Sequence, residues 1–234
     1  MYLTMEISKN RVNPAPAPES GSPGRRYGGV DKEERQRQRR ERLITAALSV
    51  FGDKGYHAST VRDVCREAGL TSRYFYESFE SMESLFEALY VDVSRRLMHT
   101  TMQTLQQTPM APDKLAEAAL RTFLEFIRED PRRARVMLID ALNVGPGAQR
   151  MSSESNRDFA TLIAGIIQAL FPDLPATGLS PTMLGNGLVG ANVRVATLWV
   201  EDKCATPLED VLHNMLSLYL AWIDYAHKLT ASRK

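Results

Sequence analysis

Residues 60–79 read Thr-Val-Arg-Asp-Val-Cys-Arg-Glu-Ala-Gly-Leu-Thr-Ser-Arg-Tyr-Phe-Tyr-Glu-Ser-Phe. Apolar Val61, Val64, Cys65 and Ala68 recur at i, i+3, i+4 and i+7, which places them on one face of a helix. Thr60 is a favoured N-cap, and Asp63 three residues on completes a capping box in which Asp replaces the usual Glu. Gly69 supplies the left-handed residue that ends a helix without a steric penalty. Thr71 then caps a second helix in which Phe75 and Phe79 face inward, while Ser72, Arg73, Tyr74, Tyr76, Glu77 and Ser78 face outward. Two short helices with almost nothing between them form a helix-turn-helix, and the second has the size to lie in a DNA major groove.

A short αα-hairpin of any helical protein has the same local pattern, so the flanks decide. A long amphipathic helix leads in with Leu43, Ile44, Ala47, Leu48, Val50 and Phe51 and stops at Gly55. A capped helix leads out from Ser81 through Leu85, Leu89 and Val93. Three helices followed by a long fourth make a DNA-binding head joined directly to something larger.

The stretch from Arg40 to Leu89 resembles the head of the tetracycline-repressor-like (TetR-type) transcription regulators. Ala46-Ala47-Leu48-Ser49-Val50-Phe51 and Lys54-Gly55-Tyr56 match the family's first helix and its glycine exit. Ser59-Thr60-Val61-Arg62-Asp63-Val64 matches the start of the second helix. Ala68-Gly69-Leu70-Thr71 and Phe75-Tyr76-Glu77-Ser78-Phe79 match the turn and recognition helix, and Ser84-Leu85-Phe86 the beginning of the fourth. The C-terminal part is similar only in helix pattern and in the stretch from Leu198-Trp199 to Leu208. The resemblance implies an operator-binding dimer, a repressor in most members, released by a small molecule.

The chain has 234 residues, 44% of them apolar, which suits a small head and a larger helical body. With 29 basic and 28 acidic residues it is no general polycation, and residues 31–80 hold ten Lys/Arg against nine Asp/Glu. DNA affinity then depends on where charge sits. Arg35, Arg37, Arg39, Arg40 and Arg42 crowd the approach to the first helix, diluted by Glu33, Glu34 and Glu41. A solvated helix face has the same composition, but the adjacent helix-turn-helix favours phosphate contacts, with Arg39 and Arg40 among them.

In the recognition helix, Ser72, Arg73 and Tyr74 occupy the first turn, within reach of base edges. Arg73 suits a bidentate contact to guanine. The resemblance implies phosphate contacts for Tyr76 and a DNA contact for Arg62, while backbone N–H groups near Thr60 and Thr71 suit phosphates too. Ser78 stands where the family often has His, and Met82 where a phosphate-binding Lys is common; Met82 cannot neutralise a phosphate.

Residues 1–30 are rich in Pro and Gly and read as a disordered extension, with Met5 as an alternative start. Residues 31–80 form the head and 81–234 an all-helical effector-binding and dimerisation domain. Helices are expected near 32–54, 61–68, 72–79, 82–107, 112–129, 131–144, 149–171, 181–202 and 207–229, punctuated by Pro109, Pro112, Pro131, Gly145-Pro146-Gly147, Pro172 to Pro181 and Pro207. No stretch alternates as a strand does, so the fold class is all-α.

The final helix carries a stripe through Leu212, Met215, Leu216, Tyr219, Leu220 and Ile223. Its partner, with Leu188, Ala191 and small Gly185, Gly187 and Gly190, is apolar nearly all round. These eight side chains (Leu188 and Ala191 with those six) are expected at a homodimer interface; a monomer core is the alternative. Met98, Met102, Phe123, Phe126, Met137 and Phe159 are expected around an apolar ligand cavity, although each suits ordinary packing. Asp140, Asn192 and Arg194 interrupt apolar runs, and if buried they satisfy one another or orient a ligand's polar end. By the resemblance, ligand binding tilts the fourth helix and respaces the two recognition helices.

Other classes find little support. His57, His99, His213 and His227 are scattered without metal spacing, and no phosphate loop or nucleophile elbow occurs, which argues against an enzyme, a metal site or a cofactor. Cys65 and Cys204 form no framework; a core thiol at Cys65 is favoured over a redox sensor. The most apolar window, 161–171, is too short to span a bilayer, and a cytoplasmic location is expected. The expected partners are a double-stranded operator with an inverted repeat, a second copy of the chain and an apolar small-molecule effector. An architectural DNA binder that takes no ligand is the competing reading.

Overall fold

A computed structural model describes residues 27–231, and every regular element among them is helical. The helices are α1 (Tyr27–Lys54), α2 (Val61–Ala68), α3 (Ser72–Ser78), α4 (Met82–Gln107), α5 (Pro112–Glu129), α6 (Pro131–Ala134), α7 (Pro146–Leu170), α8 (Pro181–Glu201) and α9 (Leu208–Ala231). Residues from Gln36 onward form one compact unit. The expected disorder of the N-terminal extension falls, for residues 1–26, outside the described residues; Tyr27–Val30 already belong to α1.

Local signals set the head. Thr60 Oγ1 accepts from Asp63 N at 3.2 Å, and Asp63 Oδ2 accepts from Thr60 N at 3.1 Å, so the capping box forms with its shortened acid. Hydrogen bonds from Thr60 and then Lys54 hold the Asp63 carboxyl well below its usual range. Gly69 ends α2 at φ 61°, and Gly55 ends α1 at φ 83°, the left-handed region in which glycine pays no steric penalty. Ser81 caps α4 through a second box with Ser84. Thr71 occupies the N-cap position of α3, but its side chain makes no capping bond.

Phe51, Phe75, Leu43 and Val64 are fully enclosed with Leu85 and Phe86 of α4. The Phe51, Tyr56 and Phe86 rings pack mutually at 5.5–5.9 Å. The fourth helix is thus part of the head's core as well as of the body.

The body follows the expected order with one correction. The helix read over 131–144 breaks: α6 stops at Ala134, Arg135–Ile139 form a π turn, and Asp140–Leu142 a 3-10 turn. A π turn inserts an extra residue into the helix, and here that residue helps Asp140 reach a partner outside it. α7 begins at Pro146, ahead of the expected 149, with proline in its favoured first turn. α4 and α7 run side by side in one direction, since Gly145 meets the Glu83 carboxylate and Gly147 that of Glu87. A methyl group at Gly185 of α8 would come within 2.4 Å of the Ala160 carbonyl oxygen, so glycine permits the close α7–α8 approach. Arg121 forks onto Glu209 at 2.6 and 3.0 Å, tying α5 to α9. No helix among the described residues is long and apolar enough to cross a membrane.

Because Phe86 closes the core shared by α1 and α4, Phe86→Ala is expected to cost about 3–5 kcal/mol. Urea unfolding measures this, and a loss below ~1 kcal/mol would show that the rings around Phe86 are not the head's keystone.

Candidate nucleic-acid interface and internal cavity

The outward face of α3 is charged but internally organised. Arg73 Nε donates to Glu77 Oε1 at 3.0 Å, an i,i+4 pair on the helix surface. Arg39 of α1 approaches the other Glu77 oxygen at 4.0 Å and stacks over the Tyr74 ring at 4.4 Å. Gln36 Nε2 donates to the Glu77 carbonyl at 3.4 Å. Arg40 lies over the Phe79 ring at 4.7 Å. Arg39 and Arg40, expected at phosphates, therefore brace the recognition helix from α1. Arg42 braces the turn, its Nη2 donating to the Ala68 carbonyl at 2.6 Å.

Among the other expected DNA contacts, Arg62, Thr71, Ser72, Arg73 and Tyr76 are exposed, with Tyr76 at 63% of its full area. Thr60 is exposed but engaged in its capping box, and Tyr74 and Ser78 are half-buried. The sequence names Glu77 and Arg42 without these roles and gives no sign of Gln36. The i,i+4 spacing of Arg73 and Glu77 was a readable signal for the first; the other two depend on tertiary placement.

Behind the head, α1 and the loop after it meet the irregular segment following α5. Asp140 Oδ2 accepts from Tyr56 N at 3.2 Å, with Arg135 Nε 3.7 Å away. Burial pushes the Asp140 carboxyl up, opposed by the Tyr56 N–H and then by Arg135 and His57. His57 Nε2 sits 3.2 Å from the Asn143 carbonyl, and Arg132 Nη1 donates to Ser49 Oγ at 3.1 Å. At Gly52 a methyl group would come within 2.3 Å of the Arg132 Cβ, so the two segments touch at backbone distance. Asp140, expected in a ligand cavity, belongs to this junction instead: its carboxylate is held by the head.

The next two residues inward, Met137 and Leu138, line an internal cavity of about 150 Å³ between α4, α5, α7, α8 and α9. Phe123, Met137, Phe159 and Asn192 are at its wall, as expected. Met98 and Met102 are not, because α4 presents Tyr90, Leu97, Thr101 and Leu105, and Met102 turns outward at 45% exposure. Phe126 is buried under the Arg133 guanidinium, 4.4 Å from its ring centre. Arg194 is exposed on the far side of α8.

The apolar stripe of α9 also divides differently. Leu212 and Met215 are buried in the monomer's own core, while Leu188, Tyr219 and Ile223 line the cavity. Ala191 and Leu216 are half-buried, and Leu220 is 42% exposed. Exposed apolar side chains remain on both helices: Met183 and Leu198 on α8, beside Gly187 and Gly190 where an added methyl would touch nothing, and on α9 Leu220 on one flank with Leu218 and Tyr225 on the other. Among the described residues no group of His, Cys, Asp and Glu gathers to hold a metal ion. Cys65 is buried, its thiol pushed up by burial, as a core thiol should be.

Residues 43–89 match the model of the bacterial regulatory proteins of the tetR family. Over 193 residues the chain is 26% identical to the HTH-type transcriptional activator FasR of Mycolicibacterium smegmatis, covering 81% of this chain and 84% of that protein. The fold is shared with the fatty acid degradation regulator FadR from Bacillus halodurans (TM-score 0.68, 16% identity, 78% of this chain and 94% of that one). It is shared equally with the transcriptional regulator FadR from Bacillus subtilis in complex with stearoyl-CoA (TM-score 0.67, 16% identity, 76% and 96%). With a helix-turn-helix head that matches the tetR family over residues 43–89 and an all-α body behind it, the chain is similar to the TetR-type, DNA-binding transcriptional regulators.

Proposed function

We propose that the protein binds an inverted-repeat operator as a homodimer and leaves it when a long-chain apolar ligand fills the internal cavity. The observation that carries this reading is the shared segment: Met137 and Leu138 line the cavity, and Arg132, Asp140 and Asn143 around them hold the head. A ligand that displaces the cavity wall acts on the same turn of chain that positions α1 and its loop. This places the coupling in the π turn, in addition to the tilt of α4 that the family resemblance implies. A ligand shifts the equilibrium only by its differential affinity for the two arrangements.

The cavity's length suggests the ligand. Its α4 wall runs from Tyr90 to Leu105, which at a rise of 1.5 Å per residue is roughly 22 Å. An extended chain advances about 3.3–3.6 Å per three bonds, so roughly 18 bonds match that length. On the scale of about 10–15 Å³ per admitted water, 150 Å³ holds ten or more methylene-sized groups. That the Bacillus subtilis FadR structure contains stearoyl-CoA supports an acyl chain here. Whether release raises or lowers transcription depends on where the operator lies; the family resemblance supports a repressor, and the relative FasR is named an activator.

For DNA, Arg73 is the base reader and Tyr76 and Arg62 are phosphate contacts. Arg39 and Arg40 serve through the placement of α3. Glu77 holds Arg73 extended along the helix, and its second oxygen is an acceptor for a cytosine N4 amine one step along the groove. For the dimer, the exposed apolar positions of α8 and α9, Leu198 and Leu220 among them, lie against the symmetry mate.

Selection of bound sequences from a random DNA pool tests the whole reading: an enriched inverted repeat is expected, and uniform, salt-sensitive binding to any duplex would favour the architectural alternative. On that operator Arg73→Ala should lose about 1–3 kcal/mol of discrimination against random DNA. Equal loss on both sequences would sink the base-reading role. Glu77→Gln should raise affinity for random DNA while relaxing preference at one base pair of each half-site; an unchanged preference leaves Glu77 as a brace alone. Asp140→Asn is expected to leave operator affinity within about threefold and to blunt ligand-induced release, since the junction loses its charge-assisted bonds. Release at the wild-type ligand concentration would remove Asp140 from the coupling route. Leu218→Glu with Leu220→Glu should give monomers by sedimentation, and a persistent dimer would place the interface elsewhere.

A further inference from the structure

The walls of the cavity restrict what enters it. Among the described residues, none of those lining it is Asp, Glu, Lys, Arg or His. The polar groups it offers are hydroxyls, side-chain amides and one indole, and one pair of them is fixed in place. Asn192 Nδ2 donates to the Tyr219 hydroxyl oxygen at 2.8 Å, bridging α8 and α9 across the cavity wall. Having accepted that bond, the hydroxyl keeps its own proton to donate. Burial pushes its pKa above the ordinary phenol value, with the Asn192 bond opposing, so Tyr219 stays a donor throughout the neutral range. A few residues along, the Trp222 indole N–H is buried on the same wall without an acceptor. Trp199 shows the usual outcome, donating to the Thr206 carbonyl at 2.8 Å. The cavity therefore presents neutral hydrogen-bonding groups, buried donors among them, and no charge.

We infer that the cavity takes its ligand as an uncharged molecule with a carbonyl oxygen that accepts a hydrogen bond from Tyr219, and that it discriminates against the free carboxylate of the same chain. A carboxylate drawn into these walls leaves water and meets no cation, which is among the costliest burials a protein can make. An ester or thioester of the same acid carries an equivalent oxygen acceptor and no charge, and Tyr219 supplies the donor it loses on leaving water. Tyr219 is thus a specificity-determining residue, although its position in the sequence pattern suggested a subunit interface. This inference rests on the cavity being the effector site.

The test uses the full-length protein, with tryptophan emission as the readout because Trp222 lines the cavity. The probes are methyl dodecanoate, dodecanoate and decane, titrated at pH 8. The ester is expected to bind at least ~10-fold more tightly than the acid, a gap that narrows as pH falls towards the usual carboxyl pKa of about 4–5. Tyr219→Phe should weaken the ester roughly fivefold, the loss of one net hydrogen bond, and leave decane unchanged. Dodecanoate binding as tightly as the ester at pH 8 would overturn the discrimination and leave the cavity's role as effector site standing. An ester that binds Tyr219→Phe as well as wild type would overturn the assigned donor. If none of the three changes the emission, the effector-site reading itself falls, and this inference with it. The acid–ester comparison is made on the wild-type chain, so it holds whether or not the variant folds.

Discussion

A carboxylate removed from water must find hydrogen bonds, and at Asp140 the main one comes from the head. The Tyr56 N–H that reaches Asp140 Oδ2 belongs to the loop closing α1, the same loop whose ring packs between Phe51 and Phe86. Undocking the head would therefore strand a buried acid and open an aromatic cluster together. The π turn over Arg135–Ile139 is what brings Asp140 to this position, and the segment is consequently fixed from both sides. Its outer groups answer to the head and its inner ones, Met137 and Leu138, to the cavity. Such a segment is an economical place for two sites to bias each other, because neither can move it without altering the contacts of the other.

The charge of the head follows a similar logic of placement. Ten basic against nine acidic residues over 31–80 leave almost no net field, so affinity for a polyanion has to come from the geometry of a few side chains. Arg39 stacked on Tyr74 and Arg40 on Phe79 use two cations to hold α3 against α1. Glu77, the acid beside Arg39, repels phosphate in general and fixes Arg73 in particular. A recognition surface of this kind favours discrimination over affinity, since its one acid penalises every non-specific contact while its pairing with Arg73 restricts the rotamers that could read a wrong base.

What the sequence disclosed follows from how local each signal is. Thr60 with Asp63, Gly69, Gly55 and Ser81 act within four residues of themselves, and the head appeared where they placed it. The helix order of the body was equally plain from its prolines. Faces were not. The stripe Leu212, Met215, Tyr219 has the right period for a buried face, but a period does not say what does the burying, and the monomer's own core and cavity take these residues. On α4 the error is one position: Met98 and Met102 follow Leu97 and Thr101, and a step of one residue turns a side chain by about 100°. The break after Ala134 was invisible because Val136-Met137-Leu138-Ile139 is apolar in either geometry, and only a tertiary partner for Asp140 distinguishes them. Asn192, a polar residue in an apolar run, needs a partner once it is enclosed; that the partner is Tyr219 depends on the crossing of α8 and α9.

A cavity of this size is itself a physical statement. At about 24 cal/mol per Å³ for dry space among apolar side chains, filling 150 Å³ is worth roughly 3–4 kcal/mol to a ligand that packs there, a sizeable part of the 5–15 kcal/mol that holds a domain together. The walls contain leucine, isoleucine and phenylalanine enough to fill it, since Leu162, Ile163, Ile166 and Phe159 all border it from α7. Collapse is opposed by contacts at the start and the middle of that helix. Gly145 and Gly147 seat its start against Glu83 and Glu87, and Gly185 locks its middle to α8 at backbone distance. At Gly185 the approach is backbone to backbone, with no side chain between the two helices that could relax. On the reading proposed for the cavity, a ligand that fills it gains part of that free energy, and the gain is largest in whichever arrangement of the π turn leaves the walls furthest apart. The free energy available to move the head is then set by how much better the ligand packs in one arrangement of the walls than in the other.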